Sequence, residues 1–336
     1  VATLATVTQA DDYSPSSSII RSLSKPMTSI VDGQPFRQGL HRIADEAKVN
    51  IWLDRRVDPS RTIRVGPIGP TVFAALEKLA ASHDCVITPI DNVLLVGRAA
   101  WVDQTLSNLL AITRSENSRT TTIKWDDLTT PREALQNVTQ PTNAPDLPHD
   151  LWPAALLRAV TPEVSITLIL AQFDAKPTFS RTRPVPFQIT RSTKPTTASR
   201  TYLPGGRSTV IQNIVAELDP KHKAKLAGTQ LRIQTSPAVH RKLVSRLLND
   251  QQPAGPDPDG DTFTVRKMTT SAANAFQQLA ASAGKKCVID PAAANACQQQ
   301  VTVEGQDITL KTLISRIAQQ AGVRVTWQKD SILIAK

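Results

Sequence analysis

Two cysteines ten positions apart, Cys287 and Cys297, are the pair of residues whose type and spacing most directly suggest chemistry. A disulfide bond between them would fasten the intervening loop to the preceding strand, as is common in exported proteins. Two free thiols in a reducing compartment are the alternative. Cys85 lies in an apolar segment typical of a strand, where cysteine serves as a small buried apolar side chain. The sequence therefore predicts one candidate disulfide, Cys287–Cys297.

No set of residues in the sequence matches a known arrangement for catalysis or metal binding. The five histidines are scattered, and none lies at ligand spacing from a cysteine, so we expect no metal site. Residues 203–207 include two glycines but lack the lysine and Ser/Thr of a phosphate-binding loop, and we interpret them as a turn before a strand. Asp54 and Asp290 each follow a predicted strand, where aspartate commonly forms a turn. We therefore expect a non-enzymatic protein without a cofactor.

Positive charge is concentrated in the middle of the chain. The formal net charge of the whole sequence is +10, and residues 151–250 alone hold 15 Lys and Arg against 5 Asp and Glu. A basic surface of this kind attracts polyanions such as nucleic acid, anionic lipid or acidic cell-wall polymer, and a solvated surface without a ligand is the alternative. Few aromatic residues and no nucleic-acid-binding motif accompany the charges. The predicted polyanion patch consists of Arg181, Arg183, Arg191, Lys194, Arg200, Arg207, Lys221, Lys223, Lys225, Arg241, Lys242 and Arg246.

An internal repeat organises the elements that would position these residues. Residues 38–54 align with residues 274–290, and residues 62–98 align with residues 301–336, with extra residues in one loop of the second copy. Apolar residues recur at helical spacing in the same places of both copies, and short apolar segments typical of strands follow them. Self-similarity of this kind indicates duplicated structural modules.

Both copies predict the order β-α-β-β-α-β-β, in which two helices pack on one face of a small sheet. Leading strands are expected around residues 27–31 and 262–266, and a further strand of the first copy at residues 62–65. Thr309 is placed to cap the second helix of the later copy, and Gly322 to end it in the left-handed conformation. The predicted fold class is therefore α+β, built from tandem small modules.

Changes in composition divide the chain into regions. The predicted regions are a flexible leader at 1–25, the first module at 26–98, a connecting helix at 99–117, a diverged module at 118–192, a basic loop with a β-β-α unit at 193–250, a linker at 251–261 and the second module at 262–336. The first ten residues, VATLATVTQA, are typical of the end of a signal peptide, and a disordered leader is the alternative. The linker is rich in Pro, Gly and Asp.

The diverged module is predicted because residues 118–192 repeat the order of elements once more. Its predicted elements are a strand at 120–125, helices at 131–138 and 162–175, and a hairpin formed by 176–183 and 185–191. Further along, residues 208–217 and 225–235 predict strands, and residues 237–248 predict a helix.

The two clear copies resemble the short N-terminal domain of secretins and of signal-transducing TonB-dependent receptors, the STN family. The second copy carries the order of elements of that family in the strand 301–303, the segment 307–310, the helix 311–320, Gly322 and a hydrophobic hairpin. Asp84 stands in place of that glycine in the first copy. The resemblance covers these two copies, and a pair of generic α+β repeats from another family is the alternative.

This resemblance implies a role in protein interaction, since such modules contact inner-membrane partners in secretins and pass a signal to a membrane-spanning regulator in transducers. We therefore expect a bacterial envelope protein, periplasmic or secreted, that acts as an adaptor for a protein partner. A small sheet with an open edge accepts a partner strand through main-chain hydrogen bonds. The candidate partner-strand edge consists of Val323, Val325, Thr326 and Trp327. Polyanion binding through residues 151–250 is the alternative function.

No segment of the sequence reaches the roughly 20 apolar residues that a membrane-spanning helix needs. We therefore expect no transmembrane segment in this chain. The two function classes that remain, an adaptor for a protein partner and a polyanion-binding protein, differ in the surface that each would use.

Overall fold

The structure is a computed structural model of the 336-residue chain. It describes residues 16–27, 31, 33–64, 70–112, 119–138, 147–179, 187–193, 197–204, 207–250, 262–283, 285–328 and 331–336. Contacts group the chain into two compact units. The first unit comprises residues 1–19, 50–57 and 86–246, and the second comprises residues 20–49, 58–85 and 247–336.

Helices and short strands alternate along the described residues. The helices are α1 (Ser17–Leu23), α2 (Phe36–Ala47), α3 (Val72–Ala81), α4 (Ala99–Leu110), α5 (Pro131–Gln136), α6 (Pro162–Ala171), α7 (Ser208–Leu218), α8 (Pro237–Asn249), α9 (Ala272–Ser282), α10 (Ala294–Cys297) and α11 (Leu310–Ala321). The strands are β1 (Asn50–Leu53), β2 (Val86–Ile90), β3 (Val93–Gly97), β4 (Thr121–Trp125), β5 (Ala155–Val160), β6 (Ala175–Phe179), β7 (Phe187–Arg191), β8 (Ala198–Tyr202), β9 (Lys223–Ala227), β10 (Gln230–Thr235), β11 (Thr262–Ser271), β12 (Lys286–Ile289), β13 (Gln300–Thr309), β14 (Arg324–Trp327) and β15 (Ser331–Ala335).

The strands form small sheets of two or three strands, and this confirms the predicted α+β class. The three-stranded sheets have the orders β1-β3-β2, β8-β10-β9 and β12-β15-β14. The two-stranded sheets pair β4 with β5, β6 with β7, and β11 with β13.

Hydroxyl side chains fix the starts of several helices. Thr71, Ser271 and Thr309 precede α3, α9 and α11, and each side chain accepts a hydrogen bond from the backbone N–H three residues later. Thr130 and Glu133 form a reciprocal capping box at the start of α5. Each such cap contributes about 1 kcal/mol because it satisfies an N–H that the helix leaves unpaired.

Residues 262–336 of the second unit form one continuous run of elements, β11-α9-β12-β13-α11-β14-β15, in the predicted order. Strand β12 runs parallel to the central strand β15, and β14 runs antiparallel to it. Helices α9 and α11 pack against each other and against strands of this run. Their buried apolar residues join those of the sheet in one core, which includes Phe276, Leu313, Ile314, Ile317, Ile332 and Ile334.

The extra residues of the second copy lie in the loop between β12 and β13. A single turn of 3-10 helix, Pro291–Ala293, and the short helix α10 occupy this loop. Cys297 ends α10 and is buried in the core. The insertion therefore adds a small helical segment to the module without changing the strand order.

The sheet β1-β3-β2 of the first unit, called the first sheet, has the same arrangement as β12-β15-β14, called the second sheet. Strand β1 runs parallel to the central strand β3, and β2 runs antiparallel to it. The first residue pairs of the parallel ladders are Asn50–Val93 and Lys286–Ser331, which the sequence repeat aligns. The two sheets therefore share one strand order and one register.

Local details at aligned positions also agree. The N–H groups of Asp54 and Asp290 donate to carbonyl oxygens of the central strands at 2.8 and 2.9 Å. Oδ1 of each aspartate accepts the backbone N–H two residues later, which confirms their turn-forming role. Asp84 and Gly322, just after α3 and α11, both adopt the left-handed conformation with φ of 56° and 65°.

Two predicted strands of the first copy extend into residues that the structure does not describe. Of the leading strand expected at 27–31, the described residues Met27 and Val31 lie in no strand, and the preceding Pro26 forms an isolated bridge with Thr71. Of the strand expected at 62–65, the described residues 62–64 contain one isolated bridge, between Thr62 and Pro35. Each bridge contains a proline, which has no N–H to donate and so does not continue a ladder of hydrogen bonds.

Between the copies, helix α4 occupies the first part of the expected connecting helix, and β4, α5, β5, α6, β6 and β7 follow within 118–192. Strands β4 and β5 pair antiparallel, as do β6 and β7. Strand β5 was not predicted. Helix α6 ends at Ala171, four residues before the predicted end, because β6 begins at Ala175.

The prediction for residues 208–217 was wrong, since they form helix α7 and not a strand. Ile211 and Val215 lie four positions apart and are its buried residues, so the helical period prevailed over the β-branched composition. Residues 225–235 are not one strand but belong to the hairpin β9–β10, which turns at Gly228 with φ of 59°. The helix predicted at 237–248 is confirmed as α8.

Two further differences lie in segments predicted to be irregular. Helix α1 lies inside the expected flexible leader, and its residues Ile19 and Leu23 are buried. Strand β8 lies inside the expected basic loop and pairs with β10. The expected linker at 251–261 lies outside the described residues.

Candidate functional site

Strand β14, which carries most of the predicted partner-strand edge, lies at an edge of the second sheet. It pairs with β15 from Arg324 to Trp327, and among the described residues no strand pairs with its other side. Val325 and Trp327 pack against the core, whereas Thr326 is exposed. Val323 precedes the strand and is buried. The structure thus places three of the four predicted residues on an edge whose main chain is available for pairing.

The direction of the free main-chain groups follows from the hairpin. The N–H of Gln328 donates to the carbonyl of Ser331 at 2.8 Å, so Gln328 faces β15. Main-chain groups alternate in direction along an antiparallel strand. The N–H and C=O of Thr326 therefore point towards β15, and those of Val325 and Trp327 point away from the sheet.

The second sheet also has a face turned away from the core, here called the outer face. It consists of Lys286, Val288, Arg324, Thr326, Ser331, Leu333 and Ala335, since side chains alternate between the two faces of a strand. Val288 pairs with Leu333, and Leu333 with Thr326, so the three lie side by side across the sheet. Val288 is 46% exposed. The outer face is therefore a mildly apolar surface with Lys286 and Arg324 as its exposed basic residues.

The corresponding face of the first sheet is covered. Trp52 occupies the position of Val288 but is only 7% exposed. Its Nε1–H donates to the carbonyl of Leu168 in α6 at 3.0 Å, and its ring contacts Trp125 and Trp152 at centroid distances of 5.9 and 6.0 Å. Strands β4 and β5 and helices α4, α5 and α6 contribute further residues to this core.

The edge of the first sheet is closed as well. Pro89 in β2 aligns with Trp327, and it has no N–H to offer a partner strand. Its carbonyl accepts a hydrogen bond from Nη2 of Arg200 at 2.9 Å. Helix α4 packs against β2, and four of the five β2 residues are buried. One sheet of the pair is thus closed, that is, covered at its face and edge, whereas the described residues leave the other open at both.

Arg200 is the clearest correction to the predicted polyanion patch, since this residue is fully buried, with 0% of it exposed. Its guanidinium lies 5.5 Å from the Tyr202 ring centroid, and burial lowers the pKa of Arg200. Nε and Nη1 have no hydrogen-bond partner among the described residues. The pairing of β8 with β10 explains the burial, because it carries Arg200 into the interior of the first unit.

A buried network fixes the strand that carries Arg200. The Tyr202 hydroxyl and Nδ1 of His240 lie 2.8 Å apart, and Nε2 of His240 lies 3.0 Å from the Ala198 carbonyl. The carbonyl only accepts, so Nε2 carries the proton and Nδ1 accepts from Tyr202. Burial lowers the pKa of His240 to about 4 and raises the pKa of Tyr202 to about 12. Both residues are therefore neutral at physiological pH.

The remaining residues of the predicted patch do not behave alike. Arg181, Arg183 and Lys194 lie outside the described residues. Arg241 pairs with Asp103 and Arg246 with Glu217, both at 2.9 Å, so neither charge is free. The exposed residues of the patch are Arg191, Arg207, Lys221, Lys223, Lys225 and Lys242. Lys223 and Lys225 lie in β9, where every residue is exposed, and Lys221 lies two residues before the strand.

The cysteines are all free, so the predicted disulfide between Cys287 and Cys297 is not formed in the structure. Burial and the neighbouring Cys297 raise the pKa of Cys287 to about 11, and burial also raises the pKa of Cys297. Thiols with raised pKa values are poor nucleophiles. Cys85 is buried, as predicted for a small apolar side chain.

Within the parts of the chain that the structure describes, no three His, Cys, Asp or Glu side chains are grouped so as to hold a metal ion. In the same parts, every helix is too short or too polar to cross a bilayer. Comparisons with protein-family models, curated proteins and solved structures give no match for this chain.

A cleft in the second unit was not predicted from the sequence; it is lined by Arg61, Thr62, Arg64, Ser82 and His83. The repeat itself held a signal for it. The second copy has Gln320 and Ala321 where the first has Ser82 and His83, so the histidine is not part of the shared module. Residues that differ in chemistry between two copies of a fold are candidates for a function of one copy.

Proposed function

We propose that this protein is a non-enzymatic adaptor of the bacterial envelope that binds a protein partner through tandem STN-like modules. The modules are residues 26–98 and 262–336, with a diverged third at 118–192. The shared strand order and register of the first and second sheets support the duplication. The envelope location and the adaptor role derive from the resemblance to the STN family.

The observation that carries the proposal is the difference between the two sheets. In the first, residues of the same chain cover the outer face, and Pro89 and Arg200 close the edge. In the second, β14 has an unpaired side among the described residues, and Val288 is exposed on the outer face. The second sheet is therefore the one able to receive a further chain.

Partner binding would proceed by addition of a strand to β14. The outward N–H and C=O groups of Val325 and Trp327 would supply main-chain hydrogen bonds, which give affinity with little dependence on sequence. Val288 and Leu333 on the outer face would contact side chains of the added segment. Arg324 would favour a segment that carries acidic residues.

The test compares Val325→Pro with Val325→Ala. Both variants lose the half-buried side chain, but only proline removes the outward N–H, so any difference between them reports on strand addition. Proteins captured from envelope extracts by immobilised wild type, alanine variant and proline variant would be quantified by mass spectrometry. We expect partners that wild type and Val325→Ala retain and Val325→Pro loses.

Circular dichroism and thermal unfolding of the two variants provide the folding control. Capture that survives in a folded Val325→Pro variant would rule out pairing at this edge.

A second candidate function, polyanion binding, is favoured by the exposed Lys221, Lys223 and Lys225 at β9. Three phosphate contacts would weaken DNA binding roughly 40-fold between about 50 and 200 mM salt, because each contact releases counterions. Fluorescence anisotropy with a labelled duplex measures this slope. Replacement of the three lysines by glutamine should flatten it, and glutamine at Arg241, which is already paired with Asp103, is the matched control.

A further inference from the structure

The cleft in the second unit brings together groups suited to an anion. It has a volume of about 420 Å³ and is lined by Arg61, Thr62, Arg64, Ser82 and His83. The described residues of its lining thus supply two guanidinium groups, an imidazole and two hydroxyl groups, and no carboxylate. The residues come from the segment after β1 and from the end of α3.

His83 is held rigidly in this cleft. It is only 6% exposed, and its ring stacks on Phe36 with a centroid distance of 4.1 Å and an interplanar angle of 10°. Nδ1 lies 2.9 Å from Oγ of Ser82 and 3.2 Å from the carbonyl of Leu79. These contacts fix the orientation of the imidazole and hence the position of Nε2.

The hydrogen bonds also decide which nitrogen carries the proton in the neutral ring. Oγ of Ser82 donates its proton to the Leu79 carbonyl at 2.7 Å, so it accepts from Nδ1. Nδ1 therefore carries the hydrogen, and Nε2 has a free lone pair. Nε2 has no hydrogen-bond partner among the described residues. A buried polar atom without a partner costs free energy that a ligand would recover.

The two arginines of the cleft differ in their carboxylate neighbours. Arg61 is paired with Asp84 at 3.5 Å and also helps to lower the pKa of Asp58, although the Asp84 pair is exposed and contributes little. Arg64 is exposed and, among the described residues, forms no ion pair. Arg64 is therefore the arginine of the lining whose charge has no carboxylate partner among the described residues.

We propose that this cleft binds a small phosphate monoester, which inorganic phosphate represents. Arginine matches phosphate oxygens in geometry and charge, and Thr62 adds a hydroxyl donor. The second pKa of a phosphate monoester is about 6, so its P–OH group exchanges a proton near neutral pH. A P–OH donates to the lone pair of Nε2 of His83. A diester has no P–OH and cannot form this hydrogen bond.

The site is independent of the adaptor function, because its residues lie outside the second sheet. The experiment titrates the full chain, labelled with ¹⁵N in its histidines, with inorganic phosphate near neutral pH and at constant ionic strength. NMR follows the ring nitrogens of His83. We expect a saturable shift of Nε2, a similar shift with glycerol phosphate, and a weaker one with dimethyl phosphate.

Arg64→Gln should weaken phosphate binding about tenfold, since a charge-assisted hydrogen bond is lost. Arg316→Gln removes the same charge from an exposed position of α11 and should leave binding unchanged. Arg64 is exposed, so its variant tests the site without disturbing the fold. Absence of a saturable shift, equal binding of dimethyl phosphate, or equal effects of the two glutamine variants would overturn the proposal.

Discussion

The first and second sheets are built alike and surrounded differently. Both have a parallel outer strand, a central strand that comes last in sequence and an antiparallel edge strand, in the same register. In the first sheet, every residue of the central strand is buried, whereas the second shows the alternation of a sheet with one covered face. The strand arrangement therefore does not determine whether a sheet is a core or a binding surface. The side chains on the outer face and edge, together with the elements that pack against them, determine it.

Trp52 and Val288 are the pair for which the largest difference is expected. Trp52→Val should lower the free energy of unfolding by about 4 kcal/mol, because it removes a buried ring and leaves the Leu168 carbonyl without its donor. Val288→Ala should change it by less than about 1 kcal/mol, since that side chain is half exposed. Urea unfolding followed by tryptophan fluorescence and circular dichroism measures both. Equal losses of stability at the two positions would contradict the conclusion that the first sheet is covered and the second exposed.

His240, in α8, makes the stability of the first unit dependent on pH. Its pKa in the folded protein is lowered from 6.5 to about 4, so folding favours the neutral ring. The contribution is fully present above pH 6.5 and is lost as the pH falls through 4, which amounts to about 3 kcal/mol between about pH 7 and pH 4.

Urea midpoints of wild type and His240→Gln across this range isolate the effect of the histidine. The variant should be less stable near neutral pH and should lose less stability on acidification. A variant with the same acid sensitivity as wild type would show that other groups cause it.

Gly97 allows close packing at the end of the first sheet. A Cβ atom there would lie 2.4 Å from Cβ of Asp54 and 3.0 Å from the ring of Trp101. Gly97→Ala should therefore cost about 2 kcal/mol, because the backbone of β3 or α4 would have to move. The aligned residue is Ala335, and Ala335→Gly should cost only about 0.5–1 kcal/mol, from backbone entropy. Thermal unfolding of Gly97→Ala and Ala335→Gly compares the loss of stability at the two aligned positions.

The smallest expected effect concerns the ends of α3 and α11. Gly322→Ala should cost about 1 kcal/mol, since alanine is strained at a φ of 65°. Asp84 already bears this strain in the first copy, so Asp84→Ala should cost less than Gly322→Ala. Chemical unfolding of both variants would detect the order, and the reverse order would show that the two helix ends are not equivalent.

The sequence repeat was enough to predict the strands β12, β14 and β15 and the edge position of β14, because hydrophobic periodicity and the hairpin turn are local signals. It was not enough for β8, which lies in a segment rich in Pro, Thr and Ser, or for α7, whose β-branched residues favoured a strand. The burial of Arg200 depends on β10, thirty residues away, and on Pro89 from another module. Composition alone does not report such neighbours.

The candidate sites differ in the same way. The edge residues of β14 are contiguous in sequence, so their position in a strand could be predicted from the local pattern. The phosphate cleft combines Arg61 and Arg64 with His83, which follows helix α3. That Nε2 of His83 has no hydrogen-bond partner among the described residues is apparent only from the structure, in which Phe36, Ser82 and Leu79 fix the ring. Whether a face is covered likewise depends on residues far along the chain, such as Leu168 over Trp52.

The position of the central strand has a consequence for biosynthesis. Strands β3 and β15 are the last of their modules to leave the ribosome, yet each is the one to which both neighbours bond. Until it emerges, β1 and β2 of the first sheet and β12 and β14 of the second have no partner strand, whereas β11 and β13 already pair with each other. Each three-stranded sheet therefore forms in a late step, and a nascent chain halted before that strand would expose apolar side chains to which chaperones bind.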